Sequence, residues 1–442
     1  MTPRTTPTTA PTASAAAPAD ARAAAPRTAL GRLRLVVVLA ALTMVGPFTI
    51  DAIFPAFAVM TRELDVDAVA MQQTVSVYLA AFAVASLFHG SMSDALGRRR
   101  VILAGCLLYA VTSALCALAP SMPLLLGARA AQGLVAGAGM IVGRTVVRDL
   151  FDGAHAQRFM SHISMIFAVA PALAPIVGGW ILGWGSWRTI FWVLAGYGLV
   201  LVVLTLTSLP ETHPASRRVP FHPRPLLASF FAAAGDGSVL RLSIAIALNF
   251  GALFLYISSA PAIVVDHLGL GERDFGVLFV PLVVTMMVGS FLTGRLAGRV
   301  RQGVFVLAGF LVALAGGVFA VTYQALAPAP ALPWTVVPVA AASLGVSLVF
   351  PILTIALLDL RPRERGAVSS FQSFLSTCVN AVVAGLVSPL VSGSLTTLAV
   401  VAGSMTLSAL VLWWWHRRRL IRRNAATDVV VPTPAPAPTD QL

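Results

Sequence analysis

One carboxylate stands in the middle of a long apolar stretch. The stretch PFTIDAIFPAF, residues 47–57, has Asp51 near its centre, with Pro47 four residues before it and Pro55 four residues after it. A proline removes the N–H that would bond to the carbonyl four residues earlier, so Pro55 frees the carbonyl of Asp51 itself. In apolar surroundings, free carbonyls and a carboxylate are tolerated where they face protein or a wet cavity. The stretch therefore predicts a polar cavity in which Asp51 gains and loses a proton.

The fourth apolar segment carries the basic residue best placed to act with Asp51. Its sequence RAAQGLVAGAGMIVGR, residues 129–144, puts Arg129 and Gln132 three residues apart on one helical face. If Arg129 faces Asp51, the cation favours the ionised form of the carboxyl, whereas burial favours its protonated form. Displacing Arg129 would then favour proton uptake by Asp51. The alternatives are a static charge pair, or an Asp51 locked to a neighbouring helix for packing alone.

The composition indicates where these groups lie. The chain has 442 residues, of which 58% are hydrophobic and 11% charged, and its mean hydropathy is +0.87. Because a soluble domain has about 25% charged residues, the first interpretation is an integral membrane protein in contact with a lipid bilayer. Cys106, Cys116 and Cys378 lie in apolar runs without disulfide or metal spacing, and we expect no metal and no cofactor.

Twelve apolar segments are long enough to be membrane helices, and we number them spans one to twelve. A helix satisfies its own backbone hydrogen bonds in lipid, so the sequence predicts an all-α membrane protein with twelve transmembrane helices. The predicted spans are residues 33–59, 73–89, 101–119, 124–147, 158–182, 188–209, 240–264, 275–297, 304–324, 334–358, 367–390 and 394–415.

The arginines give this bundle an orientation. With the N-terminus inside, the inner segments hold 25 of the thirty arginines, the outer loops hold three, and span four holds the remaining two. This positive-inside pattern predicts a multi-pass protein with both termini in the cytoplasm. It also accounts for the net charge of +13 without a nucleic-acid partner, because the charge is spread over every inner turn.

The longest inner loop divides the spans six and six. The expected organisation is a disordered cytoplasmic tail at 1–32, a first six-helix half at 33–209, an inter-half loop at 210–239, a second half at 240–415, and a cytoplasmic tail at 416–442. Two similar halves predict a binding site between them near the bilayer midplane.

Two glycine-containing motifs indicate moving parts. GSMSDALGRRR, residues 90–100, joins spans two and three, where Gly90 and Gly97 permit a tight turn and Asp94 can accept from Arg98. Simple charge anchoring would explain the arginines but not this ordered arrangement. In span five, Ala170, Ala174 and Gly178 form a small-residue stripe beside Pro171 and Pro175, which predicts either a hinge or close static packing.

Together these motifs resemble the major facilitator superfamily. The 90–100 loop is similar to its signature G-x3-D-x2-G-R-[RK], RAAQG at 129–133 to its R-x2-Q-G motif, and APALAPIVGGW at 170–180 to its antiporter motif, with Ala174 where glycine is usual. IDAIFPAF at 50–57 resembles the opening of the bicyclomycin- and chloramphenicol-resistance (Bcr/CflA) branch, as do SWRTIFWV at 186–193 and LPETHP at 209–214. The similarity covers roughly residues 35–415, and the motifs stand in the expected order and spacing.

The resemblance implies proton-coupled export of drug-like molecules by alternating access. It makes Asp51 and Arg129 the proton-coupling pair. The cytoplasmic gate would be Gly90, Asp94, Gly97, Arg98 and Arg99, and the span-five antiporter motif would be Pro171, Ala174, Pro175, Gly178 and Gly179. Thr43 stands where some related exporters carry a second acid, and Arg295 replaces the acid in the second-half echo GRLAGRV.

Aromatic and amide side chains in the spans are the candidates for the substrate cavity. They are Phe54, Tyr78, Phe250, Phe254, Phe371 and Phe374, with Gln132, Asn249, Gln372 and Asn380. We expect a monomeric multidrug exporter in a bacterial cytoplasmic (inner) membrane that exchanges a small-molecule substrate for protons. The alternatives are a proton-coupled exporter of an endogenous sugar or amino-acid derivative, and a membrane sensor or enzyme. The chain has no G-x4-G-K-[ST] motif for ATP and no clustered catalytic residues.

Overall fold

The computed structural model describes residues 28–428, except residues 152, 297–298, 328 and 363. The described part consists of helices and their connections, with no strand. Its α-helices are Ala29–Asp51, Phe57–Glu63, Ala68–Leu96, Arg98–Leu118, Met122–Leu150, Gly153–Leu182, Trp187–Ser208, Pro223–Gly235, Gly237–Ser258, Gly276–Arg295, Gln302–Leu326, Val337–Asp359, Arg365–Val382, Ser388–Val391 and Leu395–Asp428. Short 3-10 turns lie at Phe54–Ala56, Ala215–Arg217 and Trp334–Val336, and π-helical turns at Ala262–His267 and Val383–Val387.

These helices contain the twelve predicted spans. Within the described residues, eleven segments are long and apolar enough to cross a membrane. Span five is the twelfth: its helix Gly153–Leu182 has 30 residues and includes the shorter apolar helix Val169–Leu182. The all-α prediction is confirmed, and the helices extend past several predicted limits because polar end residues continue the same helical turns.

Span one is broken beside Asp51. The helix Ala29–Asp51 ends at that residue, a 3-10 turn at Phe54–Ala56 follows, and a second helix runs over Phe57–Glu63. Pro55 lies within the 3-10 turn, whereas Pro47 is accommodated inside the first helix. The interruption expected from the two prolines is therefore confirmed, and it lies on the Pro55 side of Asp51.

The spans pack as two groups of six that meet along two pairs of helices. In the first half, span four packs against spans two and three, and span one against span five. In the second half, span nine packs against span ten and span seven against span twelve. The halves meet where span two lies on span eleven and span five on span eight. We call the end of the bundle at Arg98–Arg100 the arginine-rich end and the opposite end the arginine-poor end.

The segment between the halves is more ordered than a polar loop. The predicted loop 210–239 contains a 3-10 turn at Ala215–Arg217 and the helix Pro223–Gly235. Phe230 of this helix is 9% exposed, and its ring lies 5.4 Å from the ring of Phe371 in span eleven. Burial of that aromatic side chain fixes the helix against the second half.

The predicted tails lie mostly outside the described residues, which exclude 1–27 and 429–442. Within the described part, span one begins at Ala29, inside the predicted tail 1–32. Span twelve continues as helix to Asp428, well past the predicted boundary at 415.

Candidate functional site

A cavity of about 620 Å³ lies between the two halves. Spans one, two, four and five supply its wall on one side, and spans seven, eight and eleven supply it on the other. The lining residues are Gly46, Pro47, Ile50, Asp51, Tyr78, Leu79, Phe82, Met140, Pro171, Phe250, Leu253, Phe254, Ile257, Leu282, Met286, Met287, Ser290, Thr377 and Asn380. Five of these nineteen carry a polar side chain, so the cavity is suited to a largely apolar molecule with few polar groups.

Asp51 is the carboxylate on this wall. Its side chain lies at the end of the first helix of span one and is 5% exposed. Among the described residues it forms neither an ion pair nor a hydrogen bond. A buried carboxylate without a partner has a large desolvation penalty when it is ionised. Its charge therefore depends on what enters the cavity, which is the property that a proton-coupling group needs.

Arg129 does not face Asp51, which corrects the sequence-based pairing. The Arg129 side chain is fully buried within the first half. Its Nε donates to the carbonyl of Thr74 at 3.0 Å, and its Nη1 donates to Oε1 of Gln132 at 2.6 Å and to the carbonyl of Thr49 at 3.2 Å. Neutral oxygens bind its Nε and Nη1, while Nη2 is buried without a hydrogen-bond partner among the described residues. The helical phase of span four turns Arg129 towards spans one and two rather than into the cavity.

Arg129 nevertheless reaches the cavity indirectly. Its guanidinium lies 4.5 Å from the ring centroid of Tyr78, and Tyr78 lines the cavity. The carbonyl of Thr49, which accepts from Arg129, belongs to the helical turn that ends at Asp51. A movement of Arg129 would therefore disturb both the aromatic wall and the backbone that carries the carboxylate.

The structure divides the predicted cavity residues into two groups. Tyr78, Phe250, Phe254 and Asn380 lie on the cavity wall. The remaining predicted residues lie elsewhere, namely Phe54, Gln132, Asn249, Phe371, Gln372 and Phe374.

Each displaced residue has a local environment that accounts for its position. Phe54 is fully buried against Phe57, with ring centroids 5.4 Å apart. Gln132 binds Arg129 and donates to Ser113 Oγ at 2.8 Å.

The other displaced residues belong to the second half. Asn249 is 2% exposed within span seven, away from the cavity wall. Phe371 and Phe374 pack around Phe230, with centroid distances of 5.4 and 5.3 Å. Gln372 donates to Ser376 Oγ within span eleven.

Sequence reasoning missed the methionines of the cavity. Met140 lies on the first-half wall, and Met286 and Met287 on the second-half wall. Methionine is flexible and polarisable, so three such side chains can adapt to differently shaped apolar molecules. A methionine in an apolar span has no distinguishing sequence pattern. The sequence could have identified these methionines as cavity residues only if it showed which helix faces lie opposite one another.

The predicted gate motif forms a sharp turn at the arginine-rich end. Gly97 ends the helix Ala68–Leu96 and begins the helix Arg98–Leu118, with φ of +100°. The backbone conformation at this φ favours glycine, and a Cβ atom there would also lie 2.7 Å from Oε2 of the flexible Glu211 side chain. Gly90, in contrast, lies inside a continuous helix and has open space around it.

Arg98 connects this turn to span four and to the inter-half segment. Its guanidinium pairs with Asp94 at 2.5 Å and with Asp149 at 3.3 Å. Its backbone N–H donates to Oε1 of Glu211 at 3.0 Å. Arg99 donates to the carbonyl of Leu206 in span six. These bonds join parts of the first half and the inter-half segment rather than crossing to the second half.

The small residues of span five allow two close backbone contacts. A Cβ at Gly178 would lie 2.0 Å from the carbonyl oxygen of Ala52, directly after Asp51. A Cβ at Gly179 would lie 2.2 Å from the carbonyl oxygen of Glu272 in the second half. Ala174 is fully buried and Pro171 lines the cavity, while Pro175 is buried. Span five thus contacts both the carboxylate-bearing turn and the opposite half.

Side-chain donors of span two close the arginine-poor end of the interface between the halves. Gln72 Nε2 donates to the carbonyl of Ser258 at 2.8 Å, and Gln73 Nε2 donates to that of Gly385 at 2.7 Å. Ser76 Oγ donates to the carbonyl of Ala381 at 2.8 Å. We call these three bonds the seam. At the arginine-rich end a cleft of about 910 Å³ separates Asp94 from Glu364 and its neighbours.

Two groups of six helices around a cavity, with a seam at one end and a cleft at the other, define a membrane transporter of the two-half type. The family model described as Major Facilitator Superfamily matches residues 39–385, and the chain belongs to that family.

Similar proteins refine this assignment. The MFS-type transporter YdgK of Bacillus subtilis is 30% identical over 391 residues, which cover 87% of this chain and 94% of that protein. A bicyclomycin resistance protein homolog of Haemophilus influenzae is 30% identical over 60% of this chain and 67% of its own length. The multidrug resistance protein MdtL of Shigella flexneri is 27% identical over 64% of this chain and 72% of its own length. The chain thus groups with the Bcr/CflA-like branch.

Solved structures share the fold at lower sequence identity. A bacterial homolog of the human lysosomal transporter Spinster, in an inward-facing and unoccupied conformation, has a TM-score of 0.65 and 15% identity over 88% of this chain and 97% of its own. The human organic anion transporter MFSD10 has a TM-score of 0.62 and 18% identity over 87% of this chain and 99% of its own. These likenesses concern the fold alone.

Proposed function

We propose that this protein is a proton-coupled exporter of amphiphilic, drug-like molecules in a bacterial cytoplasmic membrane, with the arginine-rich end in the cytoplasm. The observation that carries the proposal is Asp51, a buried carboxylate without a partner among the described residues, on the wall of an inter-half cavity. The names of the Haemophilus and Shigella relatives, which refer to bicyclomycin and multidrug resistance, support it.

The cavity wall indicates the class of substrate. Phe82, Phe250 and Phe254 present aromatic surfaces, and the three methionines provide adaptable contacts. A sugar or an amino-acid derivative needs many converging hydrogen-bond partners, because its polar groups are otherwise desolvated without compensation. Since most of the wall is apolar, the drug-like substrate is favoured over the endogenous metabolite.

The proposed cycle uses Asp51 for both proton and substrate. With the seam closed, the arginine-rich cleft admits substrate from the cytoplasm, and Asp51 is deprotonated as the substrate enters. Rocking of the halves opens the seam, Asp51 takes a proton from outside, and the loss of its charge weakens the hold on the substrate. A ligand shifts such an equilibrium only by its different affinity for the two states, and the charge of Asp51 supplies that difference.

The test uses purified protein in liposomes with an imposed pH gradient. Asp51→Asn keeps the shape of the side chain and removes its titration. We expect it to lose accumulation of a permanently charged lipophilic cation, which the pH gradient alone cannot trap, by about 100-fold or more, while retaining substrate-for-substrate exchange without a pH gradient. Retained exchange shows that the variant is folded and binds substrate.

A matched control makes the same chemical change outside the cavity. Asp65 is exposed and lies in the left-handed region with φ of +51°, which asparagine tolerates, so Asp65→Asn should transport normally. Full pH-driven accumulation by Asp51→Asn would refute the proposal. Loss of both exchange and accumulation would mean that Asp51 is needed for folding or for substrate binding, and that it does not couple transport to protons.

A further inference from the structure

A second concave surface of about 680 Å³ lies on the outside of the first half, away from the inter-half cavity. Spans two and three diverge from the turn at Gly97, and span four forms the floor between them. We call this surface the lateral groove. Its floor is deep because Gly105 and Ala138 let spans three and four approach closely: a Cβ at Gly105 would lie 2.6 Å from that of Ala138.

The walls of the lateral groove are apolar and open to the surroundings of the bundle. Val84 and Met92 of span two are 51% and 37% exposed, and Leu108 of span three is 49% exposed. Eight residues separate Val84 from Met92, which corresponds to about 12 Å of groove along the helix axis. A long, narrow, apolar slot of this kind fits a hydrocarbon chain better than a compact drug molecule.

Two arginines stand at the mouth of the groove. Arg100 and Arg218 both line it at the arginine-rich end, and Phe221 covers its upper part by packing edge-on against Phe88, with centroids 6.4 Å apart. Among the described residues, the side chains of Arg100 and Arg218 form neither an ion pair nor a hydrogen bond. Glu211 is the acid beside Arg218, but its Oε1 accepts from the backbone of Arg98 and His213.

We propose that the lateral groove binds a phospholipid with an anionic headgroup. The headgroup phosphate would lie between Arg100 and Arg218, and one acyl chain would occupy the slot between spans two and three. Guanidinium groups bind phosphate through charge-assisted hydrogen bonds, and the apolar slot excludes water from the chain. In the leaflet at the arginine-rich end, the charged headgroup of a lipid lies at the membrane surface and its hydrocarbon chains lie below. The two arginines and the apolar slot are arranged in the same order.

The lipid would also connect the membrane to the inter-half segment. Arg218 and Phe221 belong to that segment, whereas the rest of the groove belongs to spans two, three and four. A bound headgroup would therefore hold the segment against the first half.

The test measures lipids retained by the full-length protein. Detergent-purified protein is mixed with phosphatidylglycerol or with phosphatidylcholine of the same acyl chains, and retained adducts are counted by native mass spectrometry. We expect the wild type to retain one phosphatidylglycerol in clear preference to phosphatidylcholine. The double variant Arg100→Gln/Arg218→Gln should lose most of that preference, at about fivefold per arginine. Arg301→Gln, an exposed arginine outside the groove, is the control for loss of charge alone.

A second pair of variants tests the slot itself. Ala104 is exposed within the groove, so Ala104→Trp should fill the slot and reduce retention of both lipids without changing the arginines. Leu107→Trp, at an exposed neighbouring position that does not line the groove, should retain the wild-type pattern.

Three outcomes would overturn the proposal. In the first, the wild type retains the two lipids equally. In the second, the double variant keeps the preference of the wild type. In the third, inorganic phosphate protects the protein against thermal unfolding as well as phosphatidylglycerol does. The last result would identify a free-phosphate site. None of these readouts depends on Asp51 or on transport, so failure here leaves the export proposal intact.

Discussion

The two halves of the bundle bury different kinds of side chain. The first half encloses a polar network in which Arg129 binds Gln132 and the carbonyls of Thr49 and Thr74, and Gln132 in turn binds Ser113. Among the described residues, the second half has no arginine, aspartate or glutamate among its buried side chains: its Phe310 packs beside Trp413 at 6.1 Å, and its Phe371 and Phe374 lie against Phe230 of the inter-half helix.

This difference assigns separate tasks to the halves. Buried charge is expensive in a bilayer and is kept where its charge state matters, so we propose that the half with Asp51 and Arg129 is the one that responds to protons. The second half contributes Phe250, Phe254 and two methionines to the cavity wall but no charged side chain. Matched variants in the two halves test whether this difference affects transport and stability.

The largest expected effect concerns a backbone contact of the first half. At Gly178 an added Cβ meets the backbone of Ala52, which can move only if span one moves. At Gly289 of the second half the nearest atom is Oγ of Ser347, a side-chain atom that can rotate away. We expect Gly178→Leu to stop transport while the protein is still inserted, and Gly178→Ala to be more harmful than Gly289→Ala.

The measurement is transport per inserted molecule, with insertion quantified by fluorescence of a C-terminal fusion. Overpacking typically costs about 1–3 kcal/mol, so the two alanine variants should also differ in thermal stability. Normal transport by Gly178→Leu would show that span five does not need this contact to move.

The next effect compares two buried glutamines. Gln132→Leu removes an acceptor of the Arg129 guanidinium and leaves a buried cation short of a partner, which should cost about 2–3 kcal/mol. Gln372→Leu removes one bond to Ser376 within span eleven and should cost about 1 kcal/mol or less. Thermal unfolding followed by tryptophan fluorescence would give the ranking, and equal losses would show that the first-half network is not special.

The smallest expected effect lies at the junction of the inter-half segment and span seven. Asp236 accepts from the N–H groups of Ser238 and Val239 and pairs with Arg361 at 3.1 Å. Partial burial raises the pKa of Asp236, but these hydrogen bonds and the arginine outweigh it and hold the pKa below its usual value. A lowered pKa stabilises the fold above the ordinary aspartate pKa, and this contribution is lost as the pH falls through the folded-state value.

We therefore expect Asp236→Asn, which keeps a helix-capping side chain, to lower the stability by about 0.5 kcal/mol at neutral pH. The difference from the wild type should disappear once the pH falls below the lowered folded-state pKa of Asp236, because aspartate is then protonated in both states. The check is the difference in unfolding temperature between the two proteins across that range. A difference that persisted in acid would have to come from something other than the carboxylate charge.

The sequence predicted what depends on local chemistry. Apolar length identified the spans, Pro55 the break beside Asp51, and Gly97 the turn between spans two and three. It could not predict which faces of separate helices lie opposite one another. Arg129 was therefore paired with the wrong partner, Phe371 was placed in the cavity rather than under the inter-half helix, and Met286 was overlooked. These relations depend on the packing of helices far apart in the chain, which no local pattern records.

The seam has one further consequence, for how the two halves tolerate mutation. All three of its acceptors are main-chain carbonyls, at Ser258, Ala381 and Gly385, whereas all three donors are side chains of span two. Replacing a second-half side chain cannot delete a carbonyl oxygen, so Ser258 and Ala381 can vary without removing an acceptor of the seam, whereas a Cβ at Gly385 would collide with the side chains of Ser76 and Gln73. A single substitution at Gln72, Gln73 or Ser76 deletes one donor and leaves the other two bonds of the seam in place.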